Sequence, residues 1–505
     1  MNGCIMSRTE QSIKNIISGL MSQIVLAFIT LFTTKIIKEN LGFDYLGLNG
    51  VFTNIISFLS LTELGIGSAI VFALYKPLAE RNEDMIVSLM HFYKKAYYVI
   101  ASIILILGLL LLPFIPKIVK SDLPNKYTVF VYLLFLLNTV TSYLFTYKQS
   151  LITADQKNYI ITTYTMFFSI FSKMLQLIVV IVWKNYVLFL LVNIISLFLL
   201  NFFLSRKTDK LYPYLRYLEK KDLPKESRKL IFYKTKAMFL HSIGYFVISG
   251  TDNIIISYFL GVVVVGKYGV FISIVNIIIT FCNQIFNGIT SSIGNFIVEK
   301  NSEECFYLYK KLECITSCFQ IFVAVCLSVL LNPFISWWLG EDALLSKNLA
   351  FLFSINTFIT IMRKPIHVFK TASGLFEKDK YIPLLESILN IGLSLFFVQL
   401  LGAEGVLLGT IISSVIFPVI TSPYIVYKYL FKKNIVSYFI RQFFNLFVTV
   451  ITIFILECIL KDYLVSSFWN LIVQFFVVIV FSIFVVLCVY GKNLYIYFCG
   501  QKERK

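Results

Sequence analysis

The sequence predicts an all-α polytopic membrane protein of about fourteen transmembrane helices, built as two parallel six-helix lobes and a trailing helix pair. Three observations carry this. Hydrophobic residues make up 58% of the 505 positions and charged residues only 14%, about half the charge a soluble chain uses to keep its surface wet. Apolar runs of the length that crosses a hydrocarbon core roughly 30 Å thick recur along the whole chain. A glycine-containing block then repeats at a long, regular offset.

Only helices and closed barrels satisfy their backbone in lipid. Runs such as Val99–Leu112 and Phe475–Val489 lack the alternation of a barrel strand, so the spans read as helices. In order they fall near 15–34, 46–73, 91–115, 127–147, 159–183, 185–204, 235–260, 268–298, 312–336, 348–370, 381–400, 405–427, 438–459 and 468–490. No small-residue cleavage site follows the first of them, so it is expected to be retained rather than removed as a signal peptide.

With the N-terminus on the cytoplasmic side, the inner segments hold 35 of the 45 Lys and Arg and the outer loops nine, Lys173 lying inside a span. This asymmetry obeys the positive-inside rule and predicts cytoplasmic N- and C-termini. It also accounts for the net charge of +18 as topology, leaving nucleic acid as no expected partner. The nine cysteines are scattered singly, with no CxxC pair and no metal-ligand spacing. No metal site is expected.

Leu41-Gly42, Gly47 and Gly50-Val51-Phe52 reappear as Leu260-Gly261, Gly266 and Gly269-Val270-Phe271, in the same spacing and 219 residues on. A weaker match sets Tyr147-Lys148 and Tyr159-Ile160 against Phe369-Lys370 and Tyr381-Ile382, 222 residues on. The offset spans six helices, an even number, so both copies begin on the same membrane face. The repeats are therefore parallel, related by an axis near the membrane normal. In each copy the glycines fall in the short hairpin between the first two helices, where a tight turn and a close backbone approach need them. Two such lobes predict a central cavity and alternating access.

The resulting division is a lobe over 1–204, a basic linker over 205–236, a second lobe over 237–433, and a helix pair with tail over 434–505. The linker carries eleven Lys and Arg against four acids. Leu211, Tyr214, Leu215 and Leu218 share one face of a short helix there. That segment is expected to lie on the inner leaflet, its cations meeting anionic membrane lipids.

A charge near the bilayer centre costs on the order of 2.5–3.5 kcal/mol on insertion scales, so an intramembrane ionisable group marks a candidate site. Lys173 lies mid-span in the fifth helix with Gln176 one turn on, Asp252 and Asn253 lie well inside the seventh, and Glu63 lies in the second. These are candidates for a substrate cavity, and so are Arg363 and Lys364 at the inner end of the tenth helix. Arg and Lys there would suit a diphosphate. Asp252, Glu63 and the titratable His241 are the candidates for ion coupling. The alternative for Lys173, Asp252 and Glu63 is a buried structural pair or a helix-packing hydrogen bond, for Arg363 and Lys364 an inner-face topology charge, and for His241 a packed, hydrogen-bonded side chain. Lys148 and Lys370 are equivalent under the repeat, which points to a shared structural role. The sequence contains no Walker loop, zinc motif or nucleophile–base constellation, and no cofactor or enzymatic step is expected.

The stretch Tyr45-Leu46-Gly47-Leu48-Asn49-Gly50-Val51-Phe52 resembles the early region of bacterial polysaccharide flippases. So does Leu64-Gly65-Ile66-Gly67-Ser68-Ala69-Ile70, leading to Tyr75-Lys76-Pro77-Leu78. These are the Wzx-type exporters of the multidrug/oligosaccharidyl-lipid/polysaccharide (MATE-like) superfamily. The resemblance implies a cargo of undecaprenyl-diphosphate-linked oligosaccharide, moved from the inner to the outer leaflet of the bacterial cell membrane for capsule, exopolysaccharide or O-antigen assembly. It further implies a cationic cavity, coupling to H+ or Na+, and a polysaccharide polymerase and glycosyltransferases as partners. The lipid II flippases of the superfamily carry arginine early in the first helix, and residues 15–34 here contain none. A cation-coupled multidrug or metabolite antiporter is the rival within the superfamily. A membrane-embedded glycosyl polymerase is disfavoured, because it needs an outer loop larger than those near 116–126 and 337–347.

Overall fold

The structure is a computed structural model that describes residues 8–60, 66–218, 222–461 and 468–498. Among these the chain is helical throughout, without a strand, and eleven helices are long and apolar enough to cross a membrane. Of the other three expected spans, 15–34 and 235–260 each lie on one helix, and the described residues of 46–73 fall on two, which end at Leu59 and start at Ile66. Glu63 and its neighbours 61–65 lie outside the described residues. By internal contacts the chain forms two compact units, Met1–Gly266 and Lys267–Lys505.

The first unit begins with α1 (Arg8–Asn40), α2 (Phe43–Leu59), α3 (Ile66–Ala79) and α4 (Glu83–Leu110). Asn82 caps α4 by accepting from the Met85 amide at 3.0 Å, with Glu83 and Asp84 in the first turn. Prolines 113 and 116 follow its end, and only the single turn α5 (Ile115–Ile118) forms before α6 (Asn125–Thr146) and α7 (Gln149–Ala154). α8 (Asn158–Trp183) stops at Lys184, which turns into the left-handed region, and Asn185 caps α9 (Tyr186–Leu211) through the Leu188 amide. The apolar face expected over 211–218 is shared by the end of α9 and the one-turn α10 (Tyr214–Tyr217), because Pro213 interrupts the helix between them. Tyr212 ties this corner down, its hydroxyl donating to Asp155 at 2.7 Å. Burial, and then the Asp155 carboxylate, pushes its phenol well above the ordinary range, so it remains a donor. α11 (Lys225–Leu260) completes the set, packing against α2, and α1 packs against α8.

The repeated glycines meet each other at the start of α12 (Val262–Glu299). Gly42 and Gly261, equivalent under the repeat, share one glycine-favouring conformation, φ 99°, ψ 179° and φ 91°, ψ 165°. A Cβ on Gly47 would stand 1.9 Å from the Val262 carbonyl oxygen, and a Cβ on Gly266 would stand 2.3 Å from that of Phe43. Phe43 and Val262 are themselves equivalent at the 219-residue offset. The contact is thus reciprocal: each hairpin glycine receives the other hairpin's backbone. Gly50 faces the Val265 and Asn253 side chains, whereas its counterpart Gly269 has open space beside it.

The second unit is organised around α13 (Ser302–Leu339), the most buried of the eleven spans. Asn301 caps it through the Glu304 amide at 2.9 Å, and Gly340, at φ 94°, ends it. Two of the expected spans are divided at a proline. The tenth divides at Arg363 into α14 (Lys347–Met362) and α15 (Lys364–Ala372), with Pro365 at the new start. α16 (Ile382–Leu401) leads into the twelfth, which divides at Phe417 into α17 (Ala403–Ile416) and α18 (Pro418–Val426). The trailing pair, α19 (Val436–Leu460) and α20 (Phe468–Phe498), packs on α13 through a buried polar ladder. Glu313, 3% exposed, meets Lys310 and Arg441 at 3.3 Å each and accepts from Tyr309 at 3.0 Å. Gln320 donates to Gln442 at 3.0 Å, Asn445 to Ser317 at 3.1 Å, and Tyr490 to Asn445 at 2.6 Å.

The glycine contact predicts a sharp positional effect. Gly47→Ala and Gly266→Ala should each lower stability by about 1–3 kcal/mol, the range for forced overpacking, read as a fall in melting temperature in detergent. Gly269→Ala, with nothing beside it, should leave the melting temperature unchanged or slightly raised.

Candidate functional site

Lys173 and Gln176 lie together on α8 and line one cavity of about 170 Å³ inside the first unit. Four further helices close it. α1 brings Thr30, Thr33 and Thr34, α2 brings Tyr45 and Asn49, α6 brings Asn138, and α9 brings Tyr186, Phe189 and Asn193. On α8 and α9 the lining residues recur at three- and four-residue intervals, one face of a helix.

The Lys173 ammonium stands 5.6 Å from the centre of the Phe189 ring, within the range of a cation–π contact. No carboxylate is among the lining residues. Gln176 donates its amide N–H to the Phe189 carbonyl at 3.1 Å, which fixes the side chain and leaves its own oxygen buried without a hydrogen-bond partner. The Asn138 side-chain oxygen and the Tyr186 hydroxyl are buried without one as well. Buried polar groups are normally paired, so three on one cavity wall, beside a cation, make a surface that lacks its complement. The ammonium can only donate, the two amide oxygens can accept, and the phenol can do both. A ligand group that both donates and accepts, such as a hydroxyl or a phosphate ester with its sugar, matches this set.

The other candidates are placed elsewhere. Asp252 and Asn253 lie on α11 where it crosses α2, beside Gly50 and one turn from the bond that Asn54 gives to the Gly250 carbonyl at 3.1 Å. Neither lines the Lys173 cavity. The His241 side chain, like Glu63, lies outside the described residues. In the second unit, Arg363 stands at the α14–α15 break with Glu386 and Asp379 as its acidic neighbours, and Lys364 donates to the Asn283 side-chain oxygen. The repeat-related lysines do have matching roles. Lys148 pairs with Asp209 at 2.6 Å in the first unit and Lys370 with Asp379 at 2.5 Å in the second, Lys370 also donating to Ser422.

Sequence reasoning found the cation and missed its surroundings. Tyr45, Asn138 and Tyr186 are neutral and cost little to place in an apolar helix, so no penalty marked them. The signal that was present is their spacing. Thr30, Thr33 and Thr34 share a face, and Tyr186, Phe189 and Asn193 share another.

No family model matches this sequence, and no curated protein matches it. Solved structures do match its fold. The lipid II flippase MurJ, in an inward closed conformation, aligns with a TM-score of 0.65 at 17% identity, covering 95% of this chain and 98% of its own. An inward-facing multidrug resistance MATE family transporter of the MOP superfamily aligns with a TM-score of 0.59 at 14% identity, over 82% of this chain and 98% of its own. The Vibrio cholerae MATE transporter VcmN aligns with a TM-score of 0.58 at 14% identity, over 84% and 97%. The chain therefore has the fold of these membrane proteins.

An ammonium kept without a carboxylate is a burden on the fold, as functional groups often are. Lys173→Met keeps the length and removes the charge. It should raise the melting temperature of the detergent-solubilised protein, by about 1 kcal/mol or more of stability on the scale of such substitutions. A structurally paired lysine would give a fall.

Proposed function

We propose that the protein is a flippase for undecaprenyl-diphosphate-linked oligosaccharide repeat units, carrying them from the inner to the outer leaflet of a bacterial cell membrane by alternating access. The observation that carries this reading is the fold match to a lipid II flippase across 95% of the chain. The MATE transporters match over 82–84% of it, so the flippase accounts for more of this architecture. The Lys173 cavity supports the same reading, because its donor and its unfilled acceptors suit a phosphorylated or hydroxylated group. The resemblance of Tyr45–Phe52 and of Leu64–Ile70 to Wzx-type exporters supports a surface-polysaccharide cargo. In this role both termini face the cytoplasm. Glycosyltransferases would supply the cargo, a polysaccharide polymerase would consume it, and an H+ or Na+ gradient would drive the cycle.

The reading is tested in proteoliposomes containing a fluorescent undecaprenyl-diphosphate oligosaccharide, by the fraction that an impermeant reagent reaches over time. The wild-type protein should expose the cargo across the bilayer. Lys173→Met should slow this at least about tenfold, the loss of one charge-assisted contact, with the reconstituted amount unchanged. Exposure at the rate of empty liposomes would sink the idea.

The MATE likeness supports a second reading, a cation-coupled multidrug or metabolite antiporter. There, expression should raise resistance to lipophilic cations, and Asp252→Asn should abolish the gain while leaving oligosaccharide exposure untouched.

A further inference from the structure

A second recess in the first unit lies outside this site. It is an open groove of about 550 Å³ between one face of α4 and the chain that leads into α11. The α4 wall runs through Ser88, His91, Lys95, the adjacent Val99 and Ile100, and Ile103, one face of the helix. At 1.5 Å per residue, His91 to Ile103 extends about 18 Å. Its first third is polar and cationic, and the remainder is wholly apolar. Across from the polar end stand Asp222 and Arg228, with the buried Leu223 as floor.

The polar end presents two cations, Lys95 and Arg228, and one acid, Asp222. The Arg228 guanidinium lies 5.9 Å over the Phe92 ring, which fixes its position against α4. Lys95 reaches Asp222 at 3.7 Å, but the two side chains are 63% and 80% exposed, and such a pair contributes little to stability. An incoming phosphate oxygen can take the lysine at small cost. Lys95 and Arg228 against Asp222 leave one net positive charge. The adjoining recess, which shares His91, adds Lys94 and the Lys148–Asp209–Arg216 cluster, where two cations at 2.6 and 3.0 Å surround one acid.

We propose that this groove is the seat of one anionic phospholipid, its phosphodiester at Lys95 and Arg228 and one acyl chain along Val99, Ile100 and Ile103. A single net positive charge matches a single phosphodiester. The site is independent of the transport reading, since a bound phospholipid here would support the α4–α11 corner whatever the cargo is.

The full chain, delipidated in detergent, is titrated with phosphatidylglycerol, phosphatidylethanolamine or undecaprenyl diphosphate, and binding is read by native mass spectrometry and by melting temperature. Phosphatidylglycerol should bind at one-to-one stoichiometry and raise the melting temperature, and phosphatidylethanolamine should do neither. The double variant K95A/R228A should bind phosphatidylglycerol roughly thirtyfold more weakly, as the loss of two surface cations implies. Ile103→Trp, which fills the apolar end and keeps every charge, should also weaken it and guards against a folding defect in the double variant. Equal phosphatidylglycerol binding by wild type and both variants would overturn the proposal. So would a preference for undecaprenyl diphosphate over phosphatidylglycerol.

Discussion

An ionised side chain among apolar helices has to find a partner, because lipid supplies none and the insertion penalty is roughly 2.5–3.5 kcal/mol per charge. That constraint organises this structure. Glu313 gathers Lys310, Arg441, Tyr309 and Gln442 around one carboxylate and thereby fastens α19 to α13. Lys370 takes Asp379, and Lys148 takes Asp209. In each case the polar group spends its charge on holding two elements together. Lys173 departs from this pattern, as Lys364 does in donating to the neutral Asn283: among the described residues a ring, amide oxygens and a phenol line its cavity, and no acid does. Its retention is hard to explain by packing, since Met or Leu would fill the same volume without the penalty.

How much of this the sequence discloses depends on whether the cause is local. The described part of every expected span is helical, because hydropathy over twenty residues is a local property. The glycines at 42 and 261 were readable for a similar reason, since φ above 90° with an extended ψ excludes nearly every other residue. The breaks at Arg363 and Phe417 are local too, and Pro365 and Pro418 announce them. The polar ladder was not readable. Glu313 finds Gln442 129 residues later and Tyr490 finds Asn445 45 residues earlier, and nothing in either segment specifies the other. Lys173 could be picked out by cost alone, but Asn138 and Tyr186 could not, and only the packing of α6, α8 and α9 brings them to it. The separation of Asp252 and Asn253 from Lys173 was likewise invisible, since in the sequence all three are simply polar residues within spans.

The repeat shows what the duplication has kept and what it has not. Backbone geometry is kept: Gly42 and Gly261 share a conformation, and Gly47 and Gly266 receive equivalent carbonyls. The lysine anchors are kept, although their acids come from different places in the chain. The cavity chemistry is not. At the offset that relates Lys148 to Lys370, Lys173 corresponds to Leu395, Gln176 to Val398, Asn138 to Thr360 and Tyr186 to Leu408. The cation and its unfilled acceptors belong to the first unit alone. The two units share backbone geometry and lysine anchors, and differ in the residues that surround Lys173, because a turn or an anchor is fixed by one or two positions whereas a cavity wall needs five helices to agree.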